Sequence, residues 1–133
     1  ELLSMEICSE AGKIGIDAKS FGMDEIESES MLSYSRVIIV CSTWGDGEQP
    51  DNAIELFEYT EGLGENDLSN MHYSILALGD TAFDLFCEAG KEWDRVLEEK
   101  GATRINERVD CDVDYEDDAE EWIEIVLNKL QQL

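Results

Sequence analysis

Arg36-Val-Ile-Ile-Val-Cys41 is the stretch that decides the fold of this chain. It is an almost unbroken run of β-branched residues, which is typical of a parallel strand that is buried on both faces. Ile75-Leu-Ala-Leu78 is a second apolar run, and Gly79-Asp80 ends it. Since a helical pattern follows each run, the order of elements predicts an α/β fold, with a parallel sheet that carries helices on both faces.

The remaining segments continue this alternation. An apolar stripe predicts a helix over residues 1–12, and Ile14, Ile16 and Ala18 alternate with polar residues as in a short half-exposed strand. In chain order the sequence predicts helix 1–12, strand 14–18, a weak helical turn at 24–32, strand 36–41, a helix from Pro50-Asp51 to Gly62, strand 75–78, a helix that carries Phe86 and Trp93 and ends at Gly101, a polar edge strand at 103–109, and a last helix over 119–130.

The composition fits one folded domain over residues 1–133 with a strongly acidic surface. Hydrophobic residues make up 43% of the chain, which is enough to build a core. Nine Lys and Arg stand against thirty-three Asp and Glu, a net charge of −24, so we expect no binding to nucleic acid or to anionic membranes. Such a surface attracts basic partner proteins and speeds their encounter. Solubility or a salty habitat is the alternative reason for the acidity.

The cysteines and the single histidine form no recognisable metal or catalytic motif. Cys8, Cys41, Cys87 and Cys111 include no CxxC pair, so neither a zinc site nor a thioredoxin-like site is predicted. There is no Ser-His-Asp pattern around His72, and Cys87 lacks a nearby base, so we predict no catalytic residue. Scattered thiols without a signal peptide indicate a reduced, cytoplasmic setting, and no run of residues is apolar enough to span a membrane.

Two loops follow the two apolar runs, at the edge where open α/β sheets bind ligands. Ser42-Thr-Trp-Gly-Asp-Gly-Glu48 offers two hydroxyls, an aromatic side chain, and glycines that let backbone N–H groups approach a ligand. Leu78-Gly-Asp-Thr-Ala-Phe-Asp-Leu-Phe-Cys87 places Phe83 and Phe86 just after a strand. Aromatic side chains from two such loops can sandwich a flat heterocycle. The alternative is that Trp44 covers a helix end and Phe83 packs under its own loop.

Residues 110–118 form a third, acidic cluster after the predicted edge strand. Carboxylates in this position favour the start of the last helix, because they interact well with the positive end of the helix dipole. Calcium binding is a weaker alternative, since the run contains no glycine of the kind that an EF-hand loop requires. We therefore predict no metal ligand here.

Three stretches, in order along the chain, carry a family resemblance. They are Cys41-Ser-Thr-Trp-Gly-Asp-Gly-Glu-Gln-Pro50, Ala77-Leu-Gly-Asp-Thr-Ala-Phe-Asp-Leu-Phe-Cys87 followed by Gly90-Lys91, and Arg108-Val-Asp-Cys-Asp-Val-Asp-Tyr115. They resemble the flavodoxin superfamily, and within it the FMN-binding domain of diflavin reductases of the sulfite reductase flavoprotein type. The resemblance implies a flavodoxin-like, doubly wound parallel sheet in the strand order 2-1-3-4-5, with FMN as the cofactor.

The same resemblance implies roles in FMN binding. Ser42, Thr43 and Gly45 would hold the flavin through backbone and hydroxyl contacts. Trp44 would stack on one face of the ring, and Phe83, which stands where the family usually has Tyr, on the other. The backbone at 45–47 corresponds to the peptide that responds to the redox state of the flavin. The full set of implied residues is Ser42, Thr43, Trp44, Gly45, Asp46, Gly47, Leu78, Gly79, Asp80, Phe83, Phe86, Cys87 and Asp110.

The resemblance also implies a start that the printed sequence lacks. The family begins with a strand and a phosphate-binding loop directly before its first helix, and Glu1 corresponds to a position just after that loop. In the family order this strand lies between the strands predicted at 14–18 and 36–41. We therefore expect about 12–18 further residues before Glu1, or a strand that another chain supplies.

The implied function is electron transfer through bound FMN, between a reductase and a haem or iron–sulfur acceptor, with no substrate chemistry by the protein itself. We expect basic redox partner proteins, and a chain that is a monomer or a domain of a larger flavoprotein. The alternative is a flavodoxin-like binding or scaffold module that has lost FMN. The absent phosphate loop favours that alternative, and the two aromatic loops oppose it.

Overall fold

The centre of the fold is a parallel sheet, seen here in a computed structural model that describes residues 2–43, 47–82 and 85–133. Its described strands are β1 (Arg36–Ser42), β2 (His72–Leu78), β3 (Thr103–Arg104) and β4 (Val109–Cys111). β2 lies in the middle and pairs in parallel with the other three. The helices are α1 (Leu2–Lys13), α2 (Ile54–Glu61), α3 (Glu88–Glu99) and α4 (Glu116–Gln131), with 3₁₀ turns at Ser28–Ser33 and Asp51–Ala53.

Helices cover both faces of the sheet. Successive residues of β2 point to opposite faces, so Ile75 and Leu76 enter different cores. Ile75 packs with α2 and α3, where the buried ring of Trp93 meets Phe57 edge-on at 5.0 Å between centroids. Leu76 packs with α1 and α4, beside Trp122. The two layers confirm the α/β fold that the alternation of apolar runs predicts.

The strand register brings the carboxyl ends of three strands to the same edge. Ser42 lies opposite Leu78, and Leu78 lies opposite Cys111, so β1, β2 and β4 end side by side. The loops that leave these strands therefore start next to one another. This edge is where the two motif-bearing loops and the acidic segment meet.

The prediction of a strand at residues 14–18 is wrong. These residues have no strand pairing, and the N–H of Ile16 donates instead to the carbonyl of Ala11 at 2.9 Å, at the end of α1. A strand needs a neighbour for its ladder of hydrogen bonds, and no other part of the chain that the structure describes supplies one here. The apolar alternation is still used, because Ile14, Ile16 and Ala18 pack against the core below α1 and α4.

The prediction of one continuous edge strand over 103–109 is also wrong, because the structure has two short strands, β3 and β4, there. Tyr73 pairs with Arg104 and Leu76 pairs with Val109, so four residues of the edge strand span two residues of β2. The extra residues form a bulge, and the Ser74 hydroxyl donates to the carbonyl of Asn106 at 3.0 Å across it. A bulge interrupts the ladder and turns side chains in new directions.

Smaller differences concern the ends of elements. The weak helical turn predicted at 24–32 is the 3₁₀ turn Ser28–Ser33, and Phe86 precedes α3 rather than lying in it. Among the described residues, no helix is long and apolar enough to cross a membrane.

Candidate functional site

Thr43 joins the loop after β1 to the end of β2 and to the start of α3. Its N–H donates to the carbonyl of Leu78 at 3.2 Å, and its hydroxyl oxygen accepts the N–H of Ala89 at 3.0 Å. Ala89 lies in the first turn of α3, where helix N–H groups lack partners inside the helix. The residue before α3, Cys87, provides no side-chain cap, so Thr43 satisfies this helix end from another loop.

Gln49 makes a second connection that the sequence does not reveal. Its amide nitrogen donates to the carbonyl of Ala89, and its amide oxygen accepts the indole N–H of Trp93, both at 3.0 Å. A buried indole N–H usually finds an acceptor, but the sequence does not indicate which residue supplies it. The need of Trp93 for a partner was the only available signal for Gln49.

Two glycines allow the loops to approach closely. Gly47 is buried with φ at +89°, and a Cβ there would lie 2.8 Å from the side chain of Leu85. Gly79 begins the second loop, and a Cβ there would lie 2.9 Å from the backbone nitrogen of Cys87. The N–H of Gly79 donates to the carbonyl of Cys111 at 2.9 Å. The glycines therefore let the three segments close into one cradle at the strand ends.

Three buried thiols lie near these strand ends: Cys41 in the core with α2 and α3, Cys111 in the core with α1 and α4, and Cys87 just before α3. Burial raises the pKa of Cys41 to about 12 and the pKa values of Cys87 and Cys111 to about 11. The Cys87 thiol donates to the carbonyl of Cys111 at 3.7 Å. These groups stay protonated at neutral pH, so these three thiols carry no charge near the strand ends.

Asp112 fastens the second loop to the segment after β4. Its carboxylate accepts the N–H of Thr81 at 3.1 Å and the Thr81 hydroxyl at 2.6 Å, and also the N–H of Val113 at 2.8 Å. These bonds, the Thr81 hydroxyl first, lower the pKa of Asp112. In the same loop, Asp80 accepts the N–H of Ala82 at 2.8 Å. Sequence reasoning missed Asp112, because nothing distinguishes it from the other carboxylates of the acidic run.

Asp110 is a paired carboxylate. The Nε and Nη2 atoms of Arg108 donate to its two oxygens at 2.6 and 3.2 Å. Asp110 lies opposite Ala77, one residue before the end of β4. Its charge is therefore neutralised at the edge where the loops meet.

The described candidate residues converge at the ends of β1 and β2 and of the adjoining β4, while their contacts with a ligand stay predictions. Ser42 and Thr43 follow β1, and Leu78 ends β2. Ser42 is half-buried, and its hydroxyl makes no hydrogen bond within the described part of the chain. The described members of the set are Ser42, Thr43, Gly47, Leu78, Gly79, Asp80, Phe86, Cys87 and Asp110. Trp44, Gly45, Asp46 and Phe83 lie outside the described residues.

The described part of this edge combines backbone, hydroxyl, thiol and carboxylate groups. It offers closely approaching backbone, an unused hydroxyl and protonated thiols, and the carboxylates of Asp110 and Asp112 are already engaged. Within the described ranges, no three His, Cys, Asp or Glu side chains are grouped as metal ligands. The cradle can hold and orient a bound group.

Comparison with known proteins finds a matching family and similar curated proteins. The sequence profile of the family described as flavodoxin matches residues 1–124. The sulfite reductase [NADPH] flavoprotein alpha-component of Vibrio parahaemolyticus is 44% identical over 123 residues, which cover 92% of this chain and 20% of that protein. The protein of the same name from Bacillus subtilis is 41% identical over 118 residues, covering 89% and 20%. The chain thus spans about a fifth of the length of these curated relatives.

Solved structures agree with the fold. A flavodoxin from Streptococcus pneumoniae superposes with a TM-score of 0.86 at 26% identity, covering 98% of this chain and 88% of that one. Oxidised flavodoxin 1 from Bacillus cereus gives a TM-score of 0.81 at 18% identity, covering 99% and 89%, and this likeness concerns the fold alone. Both superpositions extend over nearly the whole chain, including the edge where the three loops meet.

Proposed function

The chain belongs to the flavodoxin family, whose members bind FMN, and from that membership we propose that it transfers electrons through FMN held at the edge where its loops meet. FMN supplies one- and two-electron chemistry when bound, while the protein controls its binding, orientation and electrostatic surroundings. The observation that carries the proposal is the joining of the first two loops. Thr43 bonds to Leu78 and to Ala89, and Gly47 fits against Leu85.

Each part of the cradle has a task in this proposal. The Ser42 hydroxyl and the backbone groups around Gly47 and Gly79 provide polar contacts to the cofactor. A Cβ at either glycine would collide with the neighbouring loop, at Leu85 or at Cys87. Trp44 and Phe83 provide the two aromatic faces that the motifs predict. The three thiols stay protonated, so the charges near the ring are those of carboxylates and their partners.

In this proposal the acidity of the chain affects both the redox potential of the bound cofactor and the kind of partner protein that the chain attracts. A net charge of −24 disfavours the gain of negative charge by a bound group and so lowers its potential. The same charge draws basic proteins. The curated relatives are named as flavoprotein components of sulfite reductase. We therefore propose a cytoplasmic domain of a larger flavoprotein, which receives electrons from a reductase and gives them to a basic haem or iron–sulfur acceptor.

The test uses the complete polypeptide that contains these 133 residues. The flavin that it carries is released by denaturation, separated by chromatography to distinguish FMN from FAD, and compared with the protein concentration. We expect one FMN per chain. A polypeptide that carries no FMN and takes up none when it is added would overturn the proposal in favour of a binding or scaffold module.

A substitution ties the result to the predicted site. Trp44→Ala removes a stacking face, and we expect FMN to bind at least about tenfold more weakly, about 1.4 kcal/mol or more. Phe21→Ala is the matched control, since Phe21 is 43% exposed and its ring lies 6.3 Å from that of Tyr34, before the amino end of β1. Equal FMN affinity in the two variants would place the cofactor elsewhere.

A further inference from the structure

Asp94 of α3 is a buried carboxylate with three partners. It is 7% exposed, and its oxygens accept the Tyr73 hydroxyl, Nε of Arg104 and Nη1 of Arg108, each at 2.8 Å. A buried charge is tolerated only when it is paired and hydrogen-bonded. Asp94 therefore fixes the position of both arginines against α3.

Arg108 bridges this buried carboxylate to the edge of the sheet. While Nη1 donates to Asp94, Nε and Nη2 donate to the two oxygens of Asp110 at 2.6 and 3.2 Å. The bulge between β3 and β4 makes this geometry possible, because four edge residues there span two residues of β2. One guanidinium thus connects α3 with the carboxyl end of β4.

Asp110 lies close to the proposed FMN site. It pairs in register with Ala77, next to the Leu78–Cys111 pair from which two of the three loops leave. Its carboxylate is also the second cause, after burial, of the raised pKa of Cys87 at the end of the second loop. Only 22% of the Arg108 side chain and 27% of the Asp110 side chain are exposed, so solvent screens this pair less than a surface pair.

We propose that Arg108 is a positioning residue that sets the midpoint potential of bound FMN by holding and neutralising Asp110. This inference rests on the proposed function. A carboxylate that is free beside the flavin opposes the gain of negative charge and lowers the potential. Arg108 cancels that charge and fixes the direction of the carboxylate, and Asp94 holds Arg108 in turn.

The test measures the midpoint potential of bound FMN by spectroelectrochemistry in four forms of the complete polypeptide: unmodified, Arg108→Gln, Asp110→Asn, and the double variant. We expect Arg108→Gln to shift the potential to more negative values, by up to about 59 mV for a one-electron step, which is a tenfold change in the equilibrium constant. In the Asp110→Asn background the same substitution should shift the potential much less. A guanidinium that acts directly through space would give equal shifts in both backgrounds, which would overturn the positioning role.

Two further variants separate this role from a loss of folding or of charge alone. Arg95→Gln removes the same charge from the same cavity, where Arg95 pairs with the exposed Glu99 and not with Asp94 or Asp110, and it should leave the potential nearly unchanged. Arg108→Lys keeps the charge, so its midpoint potential should lie close to that of the unmodified polypeptide. This comparison remains informative even if Arg108→Gln folds poorly. A potential that stays the same in both Arg108 variants would overturn the inference while leaving the proposed function intact, whereas an unmodified polypeptide without FMN would overturn both.

Discussion

The carboxylate of Asp112 holds Thr81 by two hydrogen bonds, one from the N–H at 3.1 Å and one from the hydroxyl at 2.6 Å. Thr81 lies in the loop after β2 and Asp112 lies just after β4, so the pair joins the two segments that leave the paired strand ends Leu78 and Cys111. Neither residue is buried. The attachment therefore depends on the charge of Asp112 rather than on packing.

This pair predicts a pH-dependent attachment of the second loop. The bonds from Thr81 lower the pKa of Asp112 below 3.8, so their contribution is present above that value and is lost as pH falls through the lowered pKa. We expect the amide resonance of Thr81 in NMR spectra to shift over this range. Asp112→Asn should abolish the titration, and Asp114→Asn, which removes a neighbouring exposed carboxylate, should leave it. A Thr81 resonance that titrates equally in the Asp112→Asn variant would contradict the prediction.

Gly90 predicts a large difference between two Gly→Ala substitutions. A Cβ at Gly90 would lie 2.4 Å from the Cβ of Ala77, because α3 packs directly on β2 there. We expect Gly90→Ala to lower the free energy of unfolding by about 1–3 kcal/mol through overpacking. Gly12→Ala is the control, since Gly12 lies in α1 with nothing within 4 Å of its Cβ position. That variant should gain up to about 1 kcal/mol of helix propensity.

Urea denaturation followed by circular dichroism compares these two variants under identical conditions. A Gly90→Ala variant at least as stable as the Gly12→Ala variant would show that α3 can move away from β2 at no cost. The close contact would then not position the first turn of α3, to which Thr43 is bonded.

The buried thiols predict slow alkylation in the folded protein. Cys8 is half-buried, while Cys41, Cys87 and Cys111 are fully buried with pKa values raised to about 11–12. We expect iodoacetamide at neutral pH to modify Cys8 first and the other three only on unfolding, as peptide mass spectrometry can show. Early modification of any of the three would mean that the packing around the strand ends opens in solution.

The same thiols predict a loss of stability in alkali. Their folded pKa values lie above the ordinary value of 9.0, so the stability that they contribute is fully present below that pH. It is lost as pH rises from 9.0 towards 11 and 12, because thiols of the unfolded chain ionise first. Denaturation midpoints measured across this range should fall. Cys41→Ala should reduce the fall, since it removes the thiol with the highest of the three values.

Much of the fold could be predicted from the sequence, because its strands and helices are strongly patterned. The β-branched run at 36–41 is β1, and the apolar period of residues 119–130 lies within α4. The strand at 14–18 was predicted wrongly from a correct alternation. Alternation reports which side chains face a core, whereas a strand also needs a neighbouring backbone.

The polar contacts of the site could not be predicted in the same way. The motif loops mark the edge of the sheet, but they do not reveal these contacts. Gln49 and Asp112 bond to partners that lie 44 and 31 residues away in the sequence, and Arg108 is placed by a bulge. Among thirty-three carboxylates, no local pattern distinguishes the one that a distant arginine or threonine will contact. Such partners are set by tertiary packing, and only the assembled fold identifies them.

The distribution of charge predicts a strong salt dependence of electron transfer. Four of the nine basic residues, Lys91, Arg95, Arg104 and Arg108, line one cavity beside three carboxylates, so that face is nearly neutral and the excess of negative charge lies elsewhere. We expect electron transfer from the reduced protein to a basic c-type cytochrome to slow by about tenfold or more as ionic strength rises to physiological values and above, where the Debye length falls to about 8 Å or less. An uncharged quinone acceptor is the control and should show little change. A cytochrome rate that is flat or rises with salt would mean that the acidic surface does not steer partners and serves solubility alone.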